Sequence, residues 1–228
     1  MALARGIAAV MIDLDGTLLD TIADIAAAAE RMLAALDLPA CTPQQIRSFV
    51  GKGIPNLVER CLAASVGGAR AVALQAEALT RFQDFYDEES GRRAAVYPGV
   101  IEGLEQLRAM RVRLACVTNK AQRFTVPLLE KKGLARYFEL VVSGDTVARK
   151  KPDPMQLLHI CTAFALAPQA ALLIGDSVND ALAARAAGCP VICVSYGYNE
   201  GGEVRDLDCD AIVDSLAQAA AIVKGVLS

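Results

Sequence analysis

Residues 10–17 read VMIDLDGT, an apolar run that ends in two carboxylates, a glycine and a threonine. A short apolar run that stops at acids and a glycine is typical of a buried strand that leads into a loop. In a parallel sheet, ligands bind where the strands end. Asp13 and Asp15 are therefore predicted to reach a binding edge together, where two carboxylates require a cation or a shared proton.

The alternative for this stretch is a hairpin turn at Asp15-Gly16. A hairpin needs a second alternating strand directly after Thr17. Residues 18–38 instead are rich in Ala, Leu and Ile with acids near the beginning, which is typical of a helix. We therefore predict a strand, a functional loop and then a helix.

The composition excludes several classes of protein. The formal net charge of −3 gives no basic face, so nucleic acid is not an expected partner. No apolar run approaches the length of a membrane span. Residues 6–12 follow Arg5 but lack a small-residue cleavage site after them, so we do not interpret them as a signal peptide. We expect no membrane partner and a cytoplasmic location.

The cysteines and the histidine do not indicate a site. There are 7 cysteines, an odd number, and none is in C-x-x-C spacing, which favours buried reduced thiols. His159, the single histidine, lies in a helical pattern without a catalytic signature beside it.

Short apolar runs alternate with longer helical patterns through most of the chain. The predicted strands are 7–14, 113–117, 140–142, 171–174, 191–194 and 211–213. The predicted helices are 99–110, 121–132, 154–165, 179–187 and 216–226. This alternation predicts an α/β fold with a doubly wound, Rossmann-like parallel sheet whose strand ends share one edge.

Residues 18–96 break the alternation, because they show helical patterns and no convincing strand. We therefore predict a core domain of residues 1–17 and 97–228 and an all-helical insert of residues 18–96, a size that is normal for a small domain. The insert leaves the sheet directly after the two acids and returns near Tyr97. It is placed to act as a cap over those acids.

Polar residues follow two further predicted strands. Thr118 and Asn119 come after residues 113–117 and provide a hydroxyl and backbone donors for an anion, although such residues also cap helices. Asp176 comes after residues 171–174, and Asp180 lies one helical turn further. A helix cap explains Asp176 alone, but it does not explain why several strands end in acids at one edge.

Lys151 lies in the segment R-K-K-P-D-P at 149–154, where two prolines fix the turn. A lysine aimed at the acids would neutralise them and bind phosphate as a point charge. A solvated basic loop is the alternative for this segment.

Four motifs in this order resemble those of the haloacid dehalogenase-like phosphatases. They are D-L-D-G-T (13–17), V-T-N (117–119), the lysine of K-K-P-D-P (150–154) and G-D-S-V-N-D (175–180). The insert resembles the small helical cap of one large branch. V-G-K-G (50–53), A-A-G-C-P-V (186–191) and S-Y-G-Y-N (195–199) are most similar to the phosphoglycolate phosphatases of that branch.

The resemblance implies that Asp13 is a nucleophile that forms an aspartyl-phosphate. It implies that Asp15 is the general acid toward the leaving group and then the base for water. It also implies Mg²⁺, held by the Asp13 side chain, the Asp15 backbone carbonyl and the Asp176 side chain.

Further roles follow from the same resemblance. Thr118 and the amide of Asn119 bind phosphoryl oxygens, Lys151 offsets charge in the transition state, and Gly16 lets the backbone approach the phosphate. Asp180 and Asn179 support the metal or orient Lys151.

In the insert, Arg47 and Lys52 flank S-F-V-G at 48–51 and are candidates to bind the substrate's other end. The alternative for both is a solvated surface.

The expected function is Mg²⁺-dependent hydrolysis of a small phosphorylated metabolite, with 2-phosphoglycolate as the first candidate. Phosphatases for other small sugar or organic phosphates, a hexose-phosphate mutase and a non-catalytic phospho-ligand binder remain alternatives. The resemblance argues against a dehalogenase, because dehalogenases of this superfamily lack the second aspartate, here Asp15. The sequence gives no indication of the oligomeric state.

Overall fold

A computed structural model describes residues 6–227 of the chain. The strands are β1 (Ala9–Ile12), β2 (Leu19–Asp20), β3 (Ala95–Val96), β4 (Arg113–Val117), β5 (Leu140–Val142), β6 (Ala171–Gly175), β7 (Val191–Val194) and β8 (Ala211–Val213). Six of them form one parallel sheet in the order β5-β4-β1-β6-β7-β8. The predicted doubly wound α/β sheet is confirmed.

The helices fall into two groups. Four lie between β2 and β3: α1 (Ile22–Ala35), α2 (Pro43–Phe49), α3 (Ile54–Ser65) and α4 (Gly68–Glu89). Five follow β3: α5 (Val100–Ala109), α6 (Gln122–Lys131), α7 (Met155–Ala163), α8 (Val178–Ala187) and α9 (Leu216–Leu227). The second group covers the sheet, and the first group forms what we call the helical insert.

The central strand β1 shows why the sheet is buried on both faces. Its residues alternate between two apolar layers: Val10 and Ile12 pack with side chains of α5, α6 and α9, whereas Ala9 and Met11 pack with side chains of α7 and α8. All four residues are buried. A continuous apolar run is what a parallel strand covered on both faces requires.

The sheet register brings the predicted motifs to one edge. Ile12 of β1 pairs with Cys116 of β4 on one side and with Ile174 of β6 on the other. The residues directly after these strands, including Asp13, Thr118 and Asp176, therefore meet at the carboxyl end of the sheet. The strand order reverses at this point, which is where open α/β sheets bind ligands.

The helical insert has an apolar core of its own. That core includes Met32 and Leu33 of α1, Leu62 of α3 and Phe82 of α4. Two side chains from outside the insert, Phe124 and Tyr198, also pack into it. These contacts seat the insert on the edge of the sheet that carries the motifs.

The expectation that residues 18–96 contain no strand was wrong in detail, because both strands of the pair β2–β3 lie within this segment. Leu19 pairs antiparallel with Val96 where the chain enters and leaves the insert. Strands of two residues are too short to show any periodicity, so the sequence pattern could not indicate them. The buried carboxylate of Asp24 reinforces this crossing by accepting hydrogen bonds from the backbone N–H groups of Gly91, Arg93 and Ala94.

Within the described part of the chain, none of the helices has the length and apolar character needed to cross a membrane. The cytoplasmic location expected from the sequence stays a prediction.

Candidate active site

Lys151 lies at the centre of the motif edge and is 3% exposed. Its Nζ donates to Asp13 Oδ1 at 2.7 Å, to Asp180 Oδ1 at 2.6 Å and to the carbonyl of Val117 at 2.9 Å. Burial lowers the pKa of Lys151, but the two carboxylates outweigh that effect and raise the pKa above its ordinary value. The lysine is therefore a fixed positive charge beside the predicted nucleophile.

Gln156 holds the backbone around Lys151 in place. Its Oε1 accepts a hydrogen bond from the Lys151 N–H at 3.0 Å. Its Nε2 donates to the carbonyls of Thr118 and Ser143, both at 2.9 Å. This buried amide therefore ties the loop of Lys151 to the ends of β4 and β5.

Asp180 orients Lys151 and caps α8 at the same time. While Oδ1 accepts from Lys151, Oδ2 accepts from the Ser177 N–H at 3.1 Å and the Ser177 hydroxyl at 2.7 Å. A Cβ at Gly175 would lie only 2.4 Å from the Asp180 Cγ, so a glycine is required there. Asp180 Oδ1 accepts directly from the Lys151 ammonium, which supports a role for Asp180 in orienting that lysine.

One carboxylate oxygen from each of Asp13, Asp176 and Asp180 lies within 4.8 Å of the other two. Burial, together with the charge of Asp180, raises the pKa of Asp176 to about 7. Burial likewise raises the pKa of Asp13 well above its ordinary value, although Lys151 opposes the shift. One lysine among three carboxylates leaves an excess of negative charge that a small divalent cation would neutralise. The all-oxygen donor set is the kind that Mg²⁺ prefers.

Asp176 is closely fitted between two backbone segments. Its Oδ1 accepts from the Thr17 hydroxyl at 2.9 Å, and its Oδ2 accepts from the Tyr198 N–H at 2.7 Å. Gly16 has a φ of +95°, and a Cβ there would lie 2.4 Å from Asp176 Oδ2. A Cβ at Gly197 would lie 2.1 Å from the Asp176 Cβ. Side chains at either glycine would displace this carboxylate.

Asp15 has a cationic partner that sequence reasoning missed. Lys120 Nζ lies 2.9 Å from both carboxylate oxygens of Asp15, and the Thr21 hydroxyl donates to Asp15 Oδ1 at 2.6 Å. Burial lowers the pKa of Lys120, yet Asp15 more than compensates and the pKa is raised. The only signal was that Lys120 follows Thr118-Asn119 directly, and a lysine in that place carries no chemistry by itself.

Thr118 and Asn119 lie where the sequence predicted them, at the end of β4. The Thr118 side chain is buried, and its hydroxyl accepts a hydrogen bond from the Lys120 N–H at 3.2 Å. Asn119 Nδ2 donates to the carbonyls of Lys151 and of Gly51, both at 2.8 Å. Asn119 therefore joins the lysine loop to the helical insert.

A family model described as haloacid dehalogenase-like hydrolase matches residues 10–194, which include every motif at this edge. The chain belongs to this family. It is 51% identical over 217 residues to the phosphoglycolate phosphatase of Thiobacillus denitrificans, covering 95% of this chain and 96% of that protein. It is 52% identical over 218 residues to the phosphoglycolate phosphatase of Nitrosospira multiformis, with 96% of both chains covered.

Solved structures of the family show the same fold. The crystal structure of a predicted phosphoglycolate phosphatase from Haemophilus somnus 129PT superposes with a TM-score of 0.89 at 29% identity. That match covers 94% of this chain and 97% of the other.

In this haloacid dehalogenase-like hydrolase, Arg47 and Lys52 do not reach the acids. Arg47 Nη2 donates to the carbonyl of Gly197 at 2.7 Å, and its guanidinium lies over the ring of Tyr198. Lys52 is 46% exposed at its side chain and forms an ion pair with Glu200 at 3.0 Å. Both cations therefore join the insert to the loop after β7, and neither lines the cavity described below.

Asn179 and Tyr198 contribute to the same junction. Asn179 Nδ2 donates to Glu200 Oε1 at 2.7 Å. The Tyr198 hydroxyl accepts from the backbone N–H of Thr21 at 2.7 Å, so it reaches the start of α1. Sequence reasoning did not identify Tyr198 as a functional residue. Its backbone N–H binds Asp176 and its hydroxyl binds the start of α1, and neither long-range contact is visible in the local sequence.

A cavity of about 50 Å³ lies between the motif edge and the insert. One wall is polar and is formed by the acids, Thr118, Asn119, Lys120 and Lys151. The opposite wall comes from the insert and is largely apolar: Ile25, Val50, Gly51, Gly53, Ile54, Leu57, Phe82 and Tyr86. A single water needs about 10–15 Å³, so the space suits a small molecule or several waters.

Proposed function

We propose that this hydrolase is a Mg²⁺-dependent phosphatase that converts 2-phosphoglycolate to glycolate and phosphate. The observation that carries the proposal is the pairing of Asp13 with the buried cation of Lys151 inside a cluster of further carboxylates. Relatives at 51% and 52% identity that carry the name phosphoglycolate phosphatase support the choice of substrate.

Asp13 is the nucleophile in this proposal. Its Oδ1 is held by Lys151, which leaves Oδ2 to attack phosphorus and form an aspartyl-phosphate. Covalent capture divides the hydrolysis into two easier steps. The ammonium of Lys151 offsets the charge that develops as nucleophile and phosphate approach, and Asp180 keeps it in position.

Asp15 carries the protons. It donates a proton to the leaving alkoxide of glycolate and then accepts one from the water that attacks the aspartyl-phosphate. Lys120 and Thr21 bind its carboxylate from two sides and restrict its orientation. A fixed orientation is necessary because the same group must reach the leaving oxygen and later the water.

Mg²⁺ would be held by the side chains of Asp13 and Asp176 and by the backbone carbonyl of Asp15. When bound, it supplies positive charge that lets an anionic nucleophile meet an anionic phosphate. Gly16 allows the backbone to approach, and Thr118 and the Asn119 amide bind phosphoryl oxygens. Asn179 lines the same cavity and binds Glu200 at the junction with the insert.

Residues 18–96 act as the cap of the core formed by 1–17 and 97–228, with the β2–β3 pair as the hinge. The apolar core of the insert and its polar junction with the loop after β7 support this division. In the closed arrangement the insert excludes water from the phosphorus until the substrate is in place.

Phosphate release with Mg²⁺ on a panel of 2-phosphoglycolate, glucose phosphates, a nucleoside monophosphate and pyrophosphate tests the proposal. We expect kcat/KM for 2-phosphoglycolate to exceed the others by at least about tenfold, a difference that binding of one extra charged group can supply. Asp13→Asn is expected to lower kcat by roughly 10⁴-fold or more, because it removes the nucleophile. A higher kcat/KM for a sugar phosphate would contradict the substrate, and an active Asp13→Asn enzyme would contradict the mechanism.

A further inference from the structure

The insert wall of the cavity contains one polar side chain among the described residues that line it, Tyr86 of α4. Tyr86 is 1% exposed, and its hydroxyl is buried without a hydrogen-bond partner within residues 6–227. Leaving a buried donor unsatisfied costs about 1–3 kcal/mol, and such groups are rare in folded proteins. A ligand that accepts this hydrogen bond would recover that free energy.

The Tyr86 ring is held in place by other aromatic rings. Its centroid lies 5.6 Å from that of Phe82 in a stacked arrangement and 4.9 Å from that of Phe124 in a tilted one. These contacts span the insert and the sheet domain, since Phe124 belongs to α6. The hydroxyl is therefore a rigid donor at a fixed place in the cavity wall.

Lys120 lies next to this hydroxyl on the opposite wall. Its Nζ is 5.0 Å from the centroid of the Tyr86 ring. An ammonium has three N–H donors, and the two oxygens of Asp15 occupy two of them. Lys120 and Tyr86 both line the cavity, so a cation and a hydroxyl donor lie beside the same small space.

Three other cations near the insert are committed elsewhere, and a fourth, Lys150, whose Nζ lies beside Gly53, does not line the cavity. Lys151 donates to three oxygens at the nucleophile, Arg47 binds the carbonyl of Gly197, and Lys52 pairs with Glu200. The remaining insert side chains that line the cavity are aliphatic or aromatic. A carboxylate accepts hydrogen bonds and donates none, so within this cavity it fits the pair formed by Tyr86 and Lys120.

We propose that Tyr86 determines substrate specificity by donating its hydroxyl hydrogen bond, together with Lys120, to the carboxylate of 2-phosphoglycolate. This inference rests on the proposed function. A cavity built to hydrogen-bond a substrate group rejects analogues that lack the group, because its buried donor is then left unpaired. The apolar residues around Tyr86 strengthen this effect by keeping water from replacing the carboxylate.

The test compares Tyr86→Phe with the parent on 2-phosphoglycolate and on ethyl phosphate, which has a methyl group in place of the carboxylate. We expect kcat/KM for 2-phosphoglycolate to fall about 10- to 100-fold, as for the loss of a hydrogen bond to a charged group, with ethyl phosphate unchanged. Tyr97→Phe is the matched control. Its hydroxyl is also buried without a partner in the described chain, but Tyr97 does not line the cavity. This substitution should leave kcat/KM for both substrates unchanged.

Three outcomes overturn the inference. An equal loss on both substrates would mean that the hydroxyl does not bind the carboxylate, while the phosphatase activity and substrate stand. If the parent enzyme had equal kcat/KM for the two compounds, the proposal that 2-phosphoglycolate is the substrate would itself be contradicted. The melting temperature of ligand-free Tyr86→Phe should equal or exceed that of the parent, because the substitution removes an unsatisfied buried hydroxyl, and a clear fall would assign the hydroxyl to the fold instead.

Discussion

Two buried acidic clusters of this chain have opposite balances of charge. At the sheet edge, Asp13, Asp176 and Asp180 lie close together, and Lys151 forms ion pairs with two of them, Asp13 and Asp180. In the insert, the buried carboxylate of Glu89 is paired with three cations, Arg31, Arg92 and Arg93.

The difference appears in the pKa values. The pKa values of Asp13 and Asp176 are raised. Burial also raises the pKa of Glu89, but hydrogen bonds from Arg31 and Arg93 outweigh it and the pKa is lowered. An acidic cluster with too few cations is suited to bind a metal and phosphate, whereas one with a surplus of cations serves the fold. The direction of the pKa shift therefore distinguishes buried carboxylates suited to ligand binding from those that stabilise the fold.

Removing Lys151, the cation paired with Asp13 and Asp180, is expected to have the largest effect. Lys151→Met leaves Asp13 and Asp180 buried without compensation, so the free energy of unfolding should fall by about 3–5 kcal/mol. The same change should lower kcat by about 10²–10³-fold, as for the loss of one preorganised donor to the transition state. Urea denaturation and steady-state kinetics measure the two effects.

Lys52→Met is the control, because Lys52 forms a partly exposed pair with Glu200. Such pairs contribute about 0–1 kcal/mol. Equal destabilisation by the two substitutions would mean that the cluster at the sheet edge is no more dependent on its cation than a surface pair.

The second prediction adds positive charge to the same cluster. Mg²⁺ at 100 times its dissociation constant should raise the free energy of unfolding by about 2.7 kcal/mol, by mass action alone. Asp176→Asn should abolish this rise in thermal melts, because it removes a proposed ligand. Glu89→Gln should keep it, since the acid in the insert has no part in the metal site. An undiminished rise in Asp176→Asn would contradict Asp176 as a ligand.

The two clusters also differ in how far the sequence predicted them. Asp13, Asp176 and Asp180 lie within a few residues of strand ends, and register alone brings strand ends together. Lys151 could be predicted as a site residue because Pro152 and Pro154 fix the turn that carries it. The strands and the helices that flank them were predicted close to their observed bounds for the same reason, namely that local pattern and sheet topology agree.

The insert was less predictable because its contacts are between helices. The acid at Glu89 meets Arg31, which is 58 residues away along the chain. The ring of Tyr86 packs against a side chain of α6. Arg47 and Lys52 both bind residues of the loop after β7. Propensity and spacing describe each helix singly, and they carry no information on which faces meet.

A third carboxylate, Glu200, joins the insert to the loop after β7 and tests whether this junction matters. Its carboxylate forms ion pairs with Lys52 at 3.0 Å and Arg60 at 3.6 Å, and it accepts a hydrogen bond from the Asn179 amide at 2.7 Å. Glu200→Gln weakens the link between insert and core by about 0.2–1 kcal/mol, as for other partly exposed pairs. We expect KM to rise about two- to fivefold with kcat retained, and the difference from the parent to shrink in high salt.

Glu203→Gln serves as control, since Glu203 is exposed in the same loop region. A fall in kcat without a change in KM would contradict a role in closing the insert.

The smallest expected effect concerns Glu89 and its dependence on pH. Because the folded-state pKa of Glu89 lies below its ordinary value, its ionised form stabilises the fold. That contribution is fully present above the unfolded-state pKa of about 4.3 and is lost as pH falls through the folded-state pKa. Glu89→Gln should therefore be less stable than the parent at pH 7, and the two curves of unfolding free energy should converge as pH falls below about 4. Glu88→Gln is the matched control, because Glu88 also pairs with Arg31 but is 57% exposed at its side chain. A constant difference between Glu89→Gln and the parent across this range would mean that the arginines stabilise Glu89 by packing rather than by charge.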